Sequence, residues 1–192
     1  TRSSVGSITS SRRGGAQMSV DTITFFIPSP RSDKRGHPMG MDGLNEILRQ
    51  ARGNKFSAAR GKKEASEYVA AYARMAATRV EWHTPEDRSL VVLSFVEPNR
   101  RRDPDNIFAG AKYILDGLTL RGGTGAGLIR DDSQACIDLW CRLGDTDRDK
   151  PGVWVHIRPA SSDMPVYTIM ADYSGVHVDH NGYTYGHISS EM

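Results

Sequence analysis

Residues 89–96 read SLVVLSFV, a stretch without charge that is dominated by β-branched and large apolar side chains. A run of this length and composition predicts a buried strand. A buried strand needs neighbouring strands and a second layer packed against the sheet. Helical patterns flank the run at 62–79 and 104–118, where apolar residues recur at three- and four-residue intervals. We therefore predict a sheet with two principal helices packed on it.

Three further segments carry strand patterns. Residues 22–28 are β-branched and aromatic and end at a proline, and residues 134–143 and 153–157 alternate between apolar and polar positions. Because only residues 144–152 separate the last two segments, we predict that they form a hairpin. The order strand, helix, strand, helix, strand, strand predicts an α/β (α+β) fold with a mixed β-sheet.

The ends of the chain differ in composition from its centre. Residues 1–17 are rich in Ser, Gly and Arg, which predicts a disordered N-terminal arm or a cloning remnant, with Met18 as a plausible natural start. Residues 160–192 are poorly patterned and are predicted to be a C-terminal extension with a hairpin around Asn181-Gly182. A single domain is therefore expected at 18–159.

Composition excludes several classes of protein. No apolar run approaches the roughly 18 residues that a membrane helix needs, and the polar start lacks the apolar core of a signal peptide. Cys136 and Cys141 give neither a disulfide framework nor a zinc motif. The loop at 121–127 lacks the Gly-Lys-Ser/Thr ending of a phosphate-binding loop, so no nucleotide cofactor is expected. We predict a cytoplasmic protein.

Charge is distributed unevenly along the chain. Residues 1–102 contain 18 Lys/Arg and 10 Asp/Glu, whereas residues 103–192 contain 7 and 13. A basic half can bind a polyanion while an acidic half supplies metal ligands, although solvated faces charged by chance explain the same counts. Within the basic half, residues 29–61 are rich in Gly, Pro, Arg and Lys around a short helical stretch at 44–52. We predict that they form a mobile basic segment.

The first acidic motif is Asp103-Pro104-Asp105. Asp103 suits a helix N-cap and Pro104 the first helical position, which explains Asp103 without any catalytic role. Asp105 gains only a weak interaction with the helix dipole. At 3.6 residues per turn, Asp105, Lys112 and Asp116 return to nearly the same angle and form a polar stripe beside the apolar face. Lys112 is expected to pair with Asp116 and to reach a phosphate.

The second acidic motif is Asp131-Asp132, just before the strand predicted at 134–143. Adjacent carboxylates repel, so a cation or solvent must compensate, and a solvated turn is the competing interpretation. Neighbours on an extended chain point oppositely, so only one is expected to face a site. Mg²⁺ prefers oxygen ligands, and metal-assisted phosphodiester hydrolysis needs carboxylates beside the reacting phosphate. With Lys112, the two motifs predict a magnesium-dependent phosphodiester hydrolase.

The pattern RRDPDNIFAGAKYILDGL, followed by a loop, GLIRDD and two closing strands, resembles the RusA family of Holliday junction resolvases. That family has an Arg-Asp-x-Asp-Asn core, a lysine in the following helix, an Asp-Gly/Ala-Leu ending and a downstream Asp-Asp. The likeness extends loosely over 22–158 and is specific at 101–134. The glycine-rich loop at 121–127 and the 160–192 tail depart from the family pattern.

The resemblance implies a homodimeric nuclease that resolves four-way DNA junctions with Mg²⁺, or Mn²⁺ as a substitute, in a bacterial or phage-infected cell. It implies Asp103, Asp105 and Asp132 as catalytic metal ligands with Asp131 beside them, and Lys112 as the catalytic lysine. Basic residues near the motif can hold the DNA backbone. The expected DNA-binding residues are Arg100, Arg101, Arg102, Lys34, Arg35 and Lys112.

Two other functions compete with this expectation. One is a non-catalytic DNA-binding accessory protein that retains the resolvase fold, and the other is a metal-dependent hydrolase of a small phosphorylated substrate. The presence of both acidic motifs and Lys112 favours activity, and the three consecutive arginines disfavour a small substrate. Trp140 and Trp154 fall on the outer faces of their strands, where they could pack within the sheet, form a dimer surface or stack on a base.

Overall fold

The computed structural model describes residues 22–52, 55–120 and 125–161, and the short strand pair 177–178 and 184–185. The predicted N-terminal arm at 1–17 and most of the 160–192 extension lie outside the described residues. The elements in chain order are β1 (Ile23–Pro28), α1 (Leu44–Arg52), α2 (Lys55–Val80), β2 (Ser89–Val96), α3 (Pro104–Phe108), α4 (Ala111–Leu118), β3 (Ile137–Leu143), β4 (Gly152–Pro159), β5 (His177–Val178) and β6 (Thr184–Tyr185).

Strands β1 to β4 form one mixed sheet, in the spatial order β1-β4-β2-β3. A mixed sheet was predicted from the order of elements. The apolar run 89–96 is β2, and every residue of it is buried. β4 runs antiparallel to both β1 and β2, whereas β3 runs parallel to β2. A parallel pair needs a crossover connection, and the segment containing α3 and α4 provides it. The short β5 and β6 pair antiparallel, and the turn predicted at Asn181-Gly182 lies outside the described residues.

The prediction that 134–143 and 153–157 form a hairpin is wrong. β3 and β4 lie on opposite sides of β2 and do not pair with each other. The physical reason is the burial of β2, which needs a hydrogen-bonding partner along each edge. The alternating pattern correctly predicted that Val153, Val155 and Ile157 face the core. It could not show that β3 would be the edge strand, on which Leu139 and Trp140 stay exposed.

The hydrophobic core lies between one face of this sheet and the helices α2 and α4. Val69 and Ala73 of α2 and Ile114 of α4 are almost fully buried in it, together with the inward-facing residues of β1, β2 and β4. Burial of one apolar stripe per helix is what stabilises a helix on a sheet. Among the described residues, no helix is both long enough and apolar enough to cross a membrane.

The helix predicted at 104–118 is interrupted at Ala109-Gly110, giving α3 and α4. The Gly110 N–H bonds to the Ile107 carbonyl at 3.0 Å, and the Tyr113 N–H bonds to the Gly110 carbonyl at 3.2 Å. These three-residue steps tighten the chain relative to an α-helix. A Cβ on residue 110 would collide with the Asp42 carbonyl. The glycine therefore lets the segment before α1 pack against this turn.

The basic segment 29–61 has more structure than predicted. Its helical stretch at 44–52 is α1, as expected, but residues 55–61 form the first turns of α2. Arg31 stabilises the loop between β1 and α1, because its guanidinium donates to the Gly40 carbonyl and pairs with Asp42 and Glu46. Side chains of opposite charge thus give this segment defined contacts.

Candidate functional site

Lys112 is the centre of the candidate site. Its ammonium lies 2.6 Å from Asp132 Oδ2 and 2.9 Å from Asp116 Oδ1. The hydrogen bond to Asp132, followed by that to Asp116, raises the pKa of Lys112 above its usual value. The same bond from Lys112 lowers the pKa of Asp132. The predicted pair with Asp116 is confirmed, and the lysine also joins α4 to Asp132 of the second acidic motif.

The packing of Leu128 and Ile129 explains how Asp132 reaches Lys112. Both side chains are buried almost completely, and Ile129 forms a parallel bridge with Thr119, just after α4. The chain is therefore anchored beside the end of α4 before it reaches Asp131 and Asp132. The Asp131 carboxylate accepts the Asp132 N–H at 2.9 Å, while Asp132 faces Lys112. The expectation that only one of the two carboxylates faces the site stays a prediction.

Asp103 and Asp105 lie at the start of α3. Asp103 holds the N-cap position with an extended backbone, and Pro104 follows it, as predicted. The Asp103 side chain, however, makes no capping hydrogen bond. Both carboxylates are exposed. Asp103 therefore occupies the N-cap position without capping α3 through its side chain. Its carboxylate oxygens are available to another ligand.

These carboxylates fit the donor chemistry of Mg²⁺, which takes a few carboxylate oxygens together with water. Across the ranges that the structure describes, three or more His, Cys, Asp or Glu side chains do not gather into one metal-binding group. The structure thus brings Asp132 to Lys112, but it does not draw Asp103, Asp105 and Asp132 into a closed cluster.

The three consecutive arginines have different environments. Arg100 and Arg101 are exposed in the turn after β2. The Arg102 guanidinium turns inward, donates to both carboxylate oxygens of Glu97 at 3.1 Å, and lies 3.7 Å from Glu46. Arg100 and Arg101 can meet a phosphate without rearrangement, whereas Arg102 is already paired.

Lys34 and Arg35 are exposed in a tight turn that is held by Asp33. The Asp33 carboxylate accepts the backbone N–H groups of Arg35 and His37 at 2.8 and 2.9 Å. Gly36 adopts a φ of 82°, the left-handed conformation that glycine tolerates best. The turn therefore presents both cations to solvent on a defined backbone.

Sequence reasoning missed two charged residues of this region. Glu97 directly follows β2 and is 5% exposed, and its burial raises its pKa against the opposing effect of Arg102. Lys62 of α2 lies 3.1 Å from Asp116 Oδ2. A glutamate next to a buried strand is a signal that could have identified Glu97. No local pattern could have linked Lys62 to Asp116, because the pair depends on how α2 and α4 pack.

Comparison of the sequence with protein-family models and with curated proteins finds no match. Inference about function therefore depends on the residues and their geometry.

Proposed function

We propose that this chain is a RusA-like, magnesium-dependent endodeoxyribonuclease that resolves four-way DNA junctions. The observation that supports this most strongly is the contact between Lys112 and Asp132. Lys112 and Asp132 are 20 residues apart and belong to the two stretches, RRDPDNIFAGAKYILDGL and GLIRDD, that resemble the family. In this contact Asp132 lies beside α4, the second helix after the Asp-Pro-Asp motif.

Each residue has a role in this proposal. Asp103, Asp105 and Asp132, with Asp131 beside them, would hold Mg²⁺ or its substitute Mn²⁺. The bound cation supplies Lewis-acid stabilisation and an activated water. Lys112 places a cation beside the reacting phosphate, where it stabilises the negative charge that develops on the oxygens. Arg100 and Arg101 hold the neighbouring backbone phosphates, and Lys34 and Arg35 extend this contact.

Resolving a junction into two duplexes requires two cuts placed symmetrically, and one site cuts one strand at a time. We therefore include a two-fold homodimer in the proposal, since C2 dimers are the commonest oligomers. Branched DNA in the cytoplasm of a bacterial or phage-infected cell would be the substrate.

The direct test is to incubate the full chain with a synthetic four-way junction and with linear duplex, with and without Mg²⁺. We expect cleavage of the junction only, and only with the cation. Asp103→Asn, Asp105→Asn and Asp132→Asn should abolish cutting while binding in a gel shift stays equal or becomes tighter, because a negative charge near phosphate is removed. Asp131→Asn should have a smaller effect than Asp132→Asn.

Asp145→Asn is the matched control, since Asp145 is an exposed carboxylate in the loop before β4. It should leave both cutting and binding unchanged. Normal cutting by the Asp103 and Asp105 variants would remove the metal-ligand assignment. Junction binding without cleavage by the unmodified chain would instead support a non-catalytic DNA-binding protein.

A further inference from the structure

We propose that Asp116 is a positioning residue that, together with Lys62 of α2, holds the Lys112 ammonium against Asp132; this inference rests on the proposed nuclease function. The Asp116 carboxylate lies between two ammonium groups. Oδ1 is 2.9 Å from Lys112 Nζ and Oδ2 is 3.1 Å from Lys62 Nζ. Asp116 is the more enclosed partner, with its side chain 21% exposed, whereas both lysine side chains are about half exposed.

Lys112 needs a second anchor because its side chain is long and flexible. A single ion pair at a partly exposed site contributes little and does not immobilise a lysine. Two carboxylates at 2.6 and 2.9 Å restrict the ammonium from two directions. Asp116 lies outside the proposed set of metal ligands. Its carboxylate is therefore not required by the metal and can keep its contact with Lys112.

Lys62 keeps the Asp116 side chain in place. Without Lys62, the carboxylate would be free to rotate about its own side-chain bonds with Lys112 attached. With Lys62, each oxygen lies within ion-pair distance of its own ammonium group, at 2.9 Å for Lys112 and 3.1 Å for Lys62, and the rotation is restricted. The charges of the four groups sum to zero, because Lys62 and Lys112 balance Asp116 and Asp132.

The contact between α2 and α4 explains why Lys62 is available. Gly117 follows Asp116, and a Cβ there would lie 2.6 Å from Val69 Cβ and 2.7 Å from the Ser66 carbonyl. The glycine therefore allows the two helices to approach closely. Ser66 lies one helical turn after Lys62, so the same close approach brings Lys62 to Asp116.

The test compares Asp116→Asn, Asp116→Glu and Lys62→Met in the full chain. Lys63→Met is the matched control, because Lys63 pairs with Glu67 on its own helix. We expect Asp116→Asn to lower kcat by about 10²-fold, since misplacement of a catalytic group by about 1 Å has an effect of this size. KM and melting temperature should change little. Asp116→Glu should restore most of kcat, Lys62→Met should lower it less than Asp116→Asn, and Lys63→Met should leave it unchanged.

A second readout does not require activity. The side-chain ammonium signal of Lys112, assigned in a ¹⁵N NMR spectrum by its loss in Lys112→Met, should exchange slowly with water in the unmodified chain. It should broaden or vanish in Asp116→Asn and persist in Lys63→Met. If the unmodified chain cuts no junction, the nuclease function fails, and this signal still decides whether Asp116 fixes Lys112.

Three results would overturn the inference. The first is an unchanged Lys112 signal in Asp116→Asn. The second is an unchanged kcat in that variant while the unmodified chain is active. The third is a loss of kcat that follows a loss of melting temperature and is not rescued by glutamate, which would mean that Asp116 serves stability alone.

Discussion

Arg102 shows how neighbouring residues of one type can take separate roles. Its side chain is 22% exposed and pairs with Glu97, whose side chain is 6% exposed. Gly40 lies directly against the Glu97 carboxylate, and Arg102 also donates to the Met41 carbonyl at 2.9 Å. The pair therefore connects the end of β2 to the loop before α1. The first turn of α1 contacts α3 as well, because the Asn45 N–H donates to the Asn106 side chain at 2.9 Å.

We predict that Arg102→Ala lowers the free energy of unfolding by about 3 kcal/mol, because removing one partner of a buried ion pair leaves the other charge uncompensated. Urea unfolding of the variant and of Arg101→Ala, which changes an exposed side chain, provides the comparison. The Arg101 variant should lie within about 0.5 kcal/mol of the unmodified chain. Equal stabilities for the two variants would contradict the role assigned to the Glu97 pair.

The exposed arginines should instead affect DNA binding. Replacing both Arg100 and Arg101 with alanine should weaken junction binding and reduce the slope of log affinity against log salt by about 2, roughly one counterion for each phosphate contact. Affinity measured at several salt concentrations tests this expectation. A slope identical to that of the unmodified chain would exclude phosphate contacts by these two residues.

At the scale of elements, the spacing of α2 and α4 depends on one small residue. Gly117 faces Val69 and Ser66, and the distances at which a Cβ would meet them are shorter than real Cβ contacts. The same two helices cover the core face of the sheet. A side chain at residue 117 would therefore separate the helices and disturb both the core and the Lys62–Asp116 pair.

We predict that Gly117→Ala destabilises the protein by about 1–3 kcal/mol, the usual effect of overpacking a well-packed contact. Gly61→Ala is the control within α2, because its Cβ would meet only the flexible end of the Gln50 side chain, at 3.2 Å. That change should stabilise the protein by about 0.5–1 kcal/mol, since alanine restricts the unfolded chain more than glycine does. Urea unfolding measures both, and a Gly117 variant as stable as the Gly61 variant would refute the close approach.

The stability of the whole molecule should depend on the pH through His156. This residue of β4 is 6% exposed, and its Nδ1 lies 2.8 Å from the Thr24 hydroxyl of β1. Burial, with repulsion from Arg158 added, lowers the pKa of His156 from 6.5 to about 4. In the unfolded chain, His156 therefore takes up a proton below about pH 6.5, whereas in the folded chain it does so only below about pH 4.

Stability should consequently be intact above about pH 6.5 and fall by about 2 kcal/mol on going to about pH 5, because each unit between the two pKa values contributes about 1.4 kcal/mol. Urea unfolding across this range measures the loss. His156→Gln should flatten the dependence, whereas His83→Gln, which changes an exposed histidine, should retain it. A pH dependence that survives in His156→Gln would assign the loss to other groups.

The proposed dimer makes a separate prediction at this scale. Trp154 is buried within the chain against Phe26, with ring centroids 5.0 Å apart, whereas Trp140 on the edge strand β3 is 50% exposed. Leu139 and Leu143 of the same strand are also exposed. Exposed apolar side chains on an edge strand favour pairing with another chain. Of the two tryptophans, Trp140 is therefore the better candidate for a contact between protomers.

We expect sedimentation of the unmodified chain to show a dimer, and Trp140→Ala to weaken it by tenfold or more, as loss of a central aromatic anchor does. Leu48→Ala, which changes an exposed side chain on α1, is the control. Strand-specific end labelling of a cut junction should show paired symmetric nicks. A stable monomer that makes paired cuts would refute the dimer and leave the nuclease function standing.

Local pattern was sufficient for the elements whose formation depends on nearby residues. The apolar run gives the bounds of β2, and proline geometry gives the helix start at Pro104. Helical spacing gives the contact of Lys112 with Asp116. Each involves residues within a few positions of one another. The carboxylates of the candidate site could be named for the same reason, because both acidic motifs are contiguous in sequence.

Tertiary structure decided which distant residues meet. No short sequence pattern encodes four features of this structure. They are the place of β3 across β2 from β4, the break at Ala109-Gly110, the inward turn of Arg102 and the approach of Lys62 to Asp116. Each depends on burial that is shared among elements far apart in the chain, because a buried strand needs two partners, a buried charge needs an opposite charge, and packed helices meet where a side chain is smallest.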